Sequence, residues 1–166
     1  MPLPVAHALV GASVAAAIIS PDDPQRLRKI ALGGFLAISP DFDFFFVWIL
    51  GWDREWHRGF MHSILFAIGT GTIAYLAFQL KKKARDAWAY GLAMTSHGIL
   101  DAIFSVDGGG VELLWPFTDD RYRYGFSRLL ESDPSLYNML TQTVLEGAIF
   151  LPIFAVVLWL FRPRRR

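Results

Sequence analysis

Five long apolar runs dominate this chain and set what it can become. They cover residues 5–19, 30–50, 64–80, 87–106 and 143–161. Each is about 15 to 21 residues long, near the roughly 20 that carry a helix across a bilayer core. A helix facing water would show polar side chains every three or four positions, yet residues 147–161 contain no charged or strongly polar side chain. The pattern predicts an all-α, polytopic membrane helical bundle with about five transmembrane helices, built as a single membrane-embedded domain over residues 1–166. A buried soluble bundle is the weaker alternative. No Lys or Arg precedes the first run, which argues against a cleavable signal.

The breaks between runs carry a topology. Five crossings place residues 20–29, 81–85 and 162–166 on one side, and residues 51–61 and 107–140 on the other. The first side collects 11 basic residues, among them Arg26, Arg28, Lys29, Lys81, Lys82, Lys83, Arg85 and the cluster Arg162, Arg164, Arg165, Arg166; the second has 5. Positive residues stay cytoplasmic during insertion, so the amino terminus is expected outside and the carboxyl terminus in the cytoplasm. The whole chain has 16 basic against 15 acidic residues, without the basic excess of a nucleic-acid binder. Within the outer segment, Gly108, Gly109 and Gly110 mark a turn. Asp133-Pro134 reads as the start of the last helix, running to Phe161, and Pro152 as a kink within it.

Ionisable side chains inside membrane spans serve function by default. His7, Asp41, Asp43, His97, Asp101 and Glu146 fall within or at the edge of the apolar runs, and His57 and His62 flank the third. The topology brings all of them towards the outer side. Asp41 and Asp43 follow Pro40, and His97 and Asp101, four residues apart, share one helix face. The cytoplasmic halves of the spans are read as free of ionisable residues. Neutral imidazoles with carboxylates suit zinc, manganese or iron. Four His and three Asp exceed the ligands of one structural zinc, so some orient others or two ions are present. Cysteine is absent, excluding thiolate sites and a cysteine nucleophile. The run Phe44-Phe45-Phe46 reads as lipid or bundle packing.

Together the chain presents His7, then Pro40-Asp41-Phe42-Asp43, then His57-Arg58-Gly59-Phe60-Met61-His62-Ser63, then Ser96-His97-Gly98-Ile99-Leu100-Asp101. This order and spacing resembles the membrane-bound metal-dependent hydrolase family, the YdjM-like inner-membrane proteins. The His-Arg-Gly-x-x-His-Ser block is its most specific element. His-Gly-x-x-x-Asp and Trp115-Pro116-Phe117 support it. The resemblance spans roughly His7 to Phe117, and the last helix matches only in hydrophobicity. It implies a helical protein of the inner membrane with a metal site at His7, Asp41, His62, His97 and Asp101, with Asp43 and His57 close by.

The expected function is a metal-dependent hydrolase acting at the outer face of the cytoplasmic membrane, with one or two divalent ions, zinc first and manganese or iron as alternatives. The ion would make a hydroxide nucleophile from bound water. Asp43, His57 or Glu146 would move a proton, although Glu146 is also placed to pair with an outer-side arginine. Arg58, Arg121, Arg123 and Arg128 could clamp a phosphate bidentately, or pair with Asp119, Asp120, Glu131 and Asp133. A lipid or lipid-linked phosphoester is the expected partner, and no nucleic acid. The alternatives are a metal-binding transporter and a non-enzymatic membrane protein with a structural metal.

Overall fold

A computed structural model describes residues 2–77, 84–105, 109–125 and 135–163. Among them are five α-helices: α1 (Pro4–Ile18), α2 (Arg26–Ile38), α3 (Ile64–Ala77), α4 (Ala84–Phe104) and α5 (Leu136–Leu160). There is no strand among the described residues, only an isolated antiparallel bridge between Val111 and Tyr122.

Helix α1 is apolar all round apart from His7 and Ser13, and it takes the central place such a helix needs. It packs against α2, α4 and α5, while α3 leans on α4 alone among the larger helix contacts. Three apolar clusters fix it: Ala6 with Leu100 and Phe150, Ala12 and Ala16 with Ile30, and Ala15 and Ile19 with Ala89. The α1–α2 seam is made of small residues. A Cβ added at Gly11 would lie 2.3 Å from the Ala37 Cβ, and one at Gly33 2.5 Å from that of Ala15. Such seams let helix backbones approach closely where lipid removes the hydrophobic drive for association.

Helix α2 stops where Pro40 withholds an amide donor. The chain continues as a tighter 3-10 turn over Ser39–Asp43 and a wider π-turn over Phe45–Ile49. Two further single turns, Arg54–Trp56 and Phe60–His62, lead into α3. Residues 109–125 fold back over these turns: the amide of Glu112 donates to the Arg58 carbonyl, that of Ile64 to Leu113, and that of Tyr124 to Ala102.

The last helix begins at Ser135, whose hydroxyl accepts from the Asn138 amide at 3.3 Å. The expected start at Asp133-Pro134 falls outside the described residues, and the serine hydroxyl supplies the cap. Pro152 sits inside α5 and leaves one backbone bond unmade there. Among the described residues, two helical stretches, Arg26–Ile49 and Tyr137–Leu160, are long and apolar enough to cross a membrane. Helix α1, with 15 residues, reaches roughly 22 Å at 1.5 Å per residue against about 30 Å of hydrocarbon.

Ionisable residues border the apolar runs at the ends of α2 and α4 remote from residues 40–43. Lys29 is buried, with its Nζ 2.5 Å from an Asp23 carboxylate oxygen and 2.6 Å from one of Asp86. One ammonium thereby ties the α1–α2 turn, α2 and α4. These residues border the apolar runs, so a count of run interiors passes over them.

Candidate metal centre

The 3-10 turn after Pro40 brings two aspartates to one imidazole. Asp41 Oδ1 lies 3.6 Å from His62 Nε2, while Asp43 Oδ2 lies 3.4 Å from Nδ1 of the same ring. Helix α4 supplies His97 and Asp101 from one face. Asp41 Oδ1 is 3.4 Å from His97 Nε2, and Asp101 Oδ2 is 3.8 Å from both His97 Nε2 and His62 Nε2. One ligand atom from each of Asp41, His62, His97 and Asp101 falls within 4.8 Å of every other. A tetrahedral first-row ion with ligands at about 2.0–2.2 Å separates neighbouring ligand atoms by roughly 3.3–3.6 Å. The set is the right size for one such ion.

Two further observations test the fit. Asp41 Oδ1, His62 Nε2, His97 Nε2 and Asp101 Oδ2 are all buried without a hydrogen-bond partner. Orphaned polar atoms of this kind cost free energy unless something binds them. Charge points the same way. Asp41, Asp43 and Asp101 bring three negative charges, and Arg58, 4.0 Å from Asp101 Oδ2, brings one positive. With neutral imidazoles the balance is −2, which a divalent cation neutralises.

The surrounding contacts orient the donors. The His97 Nδ1–H donates to the Ala37 carbonyl at 2.7 Å; a carbonyl only accepts, so Nε2 keeps its lone pair for the cluster. Asp43 is buried, bonds His57 Nδ1 at 2.8 Å and accepts the Arg58 amide at 2.8 Å. Arg58 has φ +62°, a left-handed backbone that side chains seldom adopt. Its amide is held from inside by Asp43 and its carbonyl from outside by Glu112.

Other expected site residues lie elsewhere. His7 stands beside the four-atom group: its Nε2 is 3.3 Å from the other Asp101 oxygen, Oδ1, and its ring stacks on His97 at 3.9 Å. Glu146 is buried and faces the start of α1, not the cluster. Its carboxylate accepts from the amides of Leu3 at 2.6 Å and Ala6 at 3.0 Å, and from Gln142 at 3.3 Å. Those amides are the orphan donors of a helix lacking its own side-chain cap, and they take the place of the expected arginine partner. Arg121 spans the loops: it bonds Glu112 at 2.7 Å and the carbonyls of Glu55 and His57, not the aspartates expected. Arg123 is exposed on the same loop, and Arg128, Glu131 and Asp133 lie outside the described residues.

Gly98 belongs to the His-Gly-x-x-x-Asp pattern, but its packing role at the site was not among the expected ones. A Cβ there would meet the His62 carbonyl oxygen at 2.2 Å. The missing side chain is what lets the His62 turn settle on α4. A glycine directly after a candidate-ligand histidine was the available signal.

The sequence profile of the YdjM inner membrane protein family matches residues 1–165. Inner membrane protein YbcI of Escherichia coli (strain K12) is 30% identical over 127 residues, which covers 74% of this chain and 72% of that protein. No solved structure matches the chain significantly. The site described above lies in a protein of the inner membrane.

Proposed function

The chain belongs to the YdjM inner membrane protein family, and from that premise we propose a membrane-embedded metal-dependent hydrolase, its site at the extracytoplasmic side, that cleaves a lipid or lipid-linked phosphoester. The supporting observation is the set of four buried, unpartnered donor atoms on Asp41, His62, His97 and Asp101. In this reading those four residues hold the divalent ion, zinc first and manganese or iron as alternatives. Such an ion, when bound, acidifies a water and polarises an ester oxygen. All five helices cross the bilayer, with the short α1 inside the bundle, the amino terminus outside and the carboxyl terminus in the cytoplasm.

The chain's own residues then divide the work. Arg58, with its guanidinium beside Asp101, orients an anionic phosphate through its planar fork. Asp43 fixes the His57 ring through Nδ1, leaving Nε2 of a partly exposed imidazole to exchange protons. Asp43 and His7 orient His62 and Asp101. Glu146 secures α1, which carries His7. A transporter is disfavoured because, among the described residues, no charged side chain lies between the Lys29–Asp86 pair and the cluster along α2 and α4.

One observation favours a second reading. Four protein ligands complete a tetrahedral shell, the pattern of structural zinc, and such an ion would serve only to tie the helices. Against this, Asp41 keeps accessible side-chain surface while the other three candidate ligands keep none.

The test is elemental analysis of detergent-purified protein, with cobalt substitution to read coordination number, beside hydrolysis of a phosphodiester lipid. Wild type should carry a stoichiometric ion and hydrolyse the ester. Asp101→Asn, with unchanged shape and one charge fewer, should lose most of both. Stoichiometric metal with a closed four-coordinate spectrum and no hydrolysis would establish the structural reading instead.

A further inference from the structure

The cluster is closed towards the loops and its four donor atoms are buried, and the one candidate ligand whose side chain keeps exposed surface, Asp41, borders an aromatic strip. On the loop side, Arg58, His62 and Val111 are buried, and the segment 109–125 is stapled over them through Arg121 and the Glu112 amide. Of the four candidate ligands only Asp41 has accessible side-chain surface, 17%, against none for the others. Asp41 lies eight residues before the end of the apolar stretch Arg26–Ile49, not at its rim.

The residues exposed around that turn are aromatic. The Phe42 ring meets Phe35 at 5.9 Å and Phe44 at 6.5 Å, Phe44 meets Trp48 at 6.2 Å, and Trp48 meets His57 at 5.1 Å. Phe35, Phe42, Phe44 and Trp48 are all exposed large hydrophobics. They form a ladder from within the apolar stretch to the loop where His57 sits. Tryptophan at the upper end suits the head-group level of a bilayer, and phenylalanine below it suits acyl chains.

We propose that substrate reaches the cluster sideways from the bilayer, past Phe42 and Phe44 at Asp41. The occupant is a membrane lipid with an anionic phosphate head group. Its acyl chain lies along the Phe35–Trp48 ladder, and its phosphate meets Arg58 and the ion held by the cluster. Donor chemistry selects that head group: its phosphate oxygens would pair with the planar Arg58 fork and would serve as ligands to a divalent ion. Phe42 and Phe44 act as positioning residues for the lipid and touch no reacting atom. This route rests on the hydrolase reading for its purpose, though not for its geometry.

The natural absence of cysteine permits a direct test. Protein is reconstituted into phosphatidylcholine vesicles containing phosphatidylglycerol that carries a photoreactive group on its head group. Wild type and unlabelled Phe42→Cys should form lipid adducts at Arg58 or His62, residues that bulk lipid cannot touch. Labelling Phe42→Cys with a bulky maleimide should abolish those adducts, and labelling Phe117→Cys on the loop should leave them unchanged. Phe44→Cys gives the same test if Phe42→Cys folds poorly. Absence of adducts at the cluster in wild type, or their persistence after labelling at both positions, would overturn the route. Adduct formation requires no bond cleavage, so adducts without ester hydrolysis would refute the hydrolase reading and leave the lateral route standing.

Discussion

Gly98→Ala is the sharpest mutation this structure offers, because it adds one methyl group at a defined distance from the backbone of His62, a candidate ligand. The new Cβ would lie 2.2 Å from the His62 carbonyl oxygen, 3.3 Å from its carbon and 3.1 Å from Leu113 Cδ2. Ordinary contact starts at 3.4 Å, so the His62 turn must retreat by about 1.2 Å. Ligand distances at a metal tolerate only about 0.2 Å either way. Disturbing the partners that orient a ligand already costs about 10- to 100-fold in affinity, and displacing the ligand itself should cost at least that, about 1.4–2.8 kcal/mol. The assay is chelator competition on detergent-purified protein, with circular dichroism to confirm retained helix. Gly147→Ala, where an added Cβ meets nothing within 4 Å, is the control and should behave as wild type. A folded Gly98→Ala protein with unchanged metal affinity would mean that His62 is not a ligand.

Three further outcomes follow from the same geometry. Glu146→Gln replaces one acceptor oxygen facing the Leu3 and Ala6 amides with a donor, and should lower stability by about 1–3 kcal/mol. A thermal melt in detergent checks this, and metal content should remain at the wild-type level. Arg58→Lys should impair phosphoester hydrolysis at unchanged metal content, since a point charge cannot reproduce the planar fork; equal kcat/KM would remove Arg58 from substrate binding. A reporter active only in the cytoplasm should work when fused after Arg166 and fail in the glycine triplet 108–110, and the opposite pattern would invert the orientation.

Much of the helix plan was legible because apolar runs and proline are local signals. The break near residue 20 follows from composition, and α1 and α5 occupy nearly the expected residues, whereas the run 30–50, expected as one span, leaves the α-helix at Ile38 ahead of Pro40. The cluster was legible for a different reason: ionisable groups in apolar runs are conspicuous, and His97 and Asp101 had to share a face. What could not be read were partnerships between distant backbones. Glu146 finds the amides of Leu3 and Ala6 some 140 residues away, and no periodicity encodes that match. His7 joins the far oxygen of Asp101 because one carboxylate offers two directions. Arg121, expected to clamp a phosphate or to pair with acidic residues such as Asp119 and Asp120, instead carries the loop through two carbonyls and Glu112. Lys29 and Asp86 sat at run edges, where a pair of opposite charges resembles an ordinary solvated end.

The Lys29 tie has a mechanical consequence. Helices α2 and α4 are joined at one end by an ammonium between two carboxylates, and at the other by Asp41 facing His97. The first joint sets one ammonium between two carboxylates, whereas the second, although His97 also donates to the Ala37 carbonyl of α2 at 2.7 Å, sets the like charges of Asp41 and Asp101 against each other. The two helices therefore resemble tongs with a fixed rivet, and any electrostatic strain of the candidate site falls at the jaws and not at the Lys29 end.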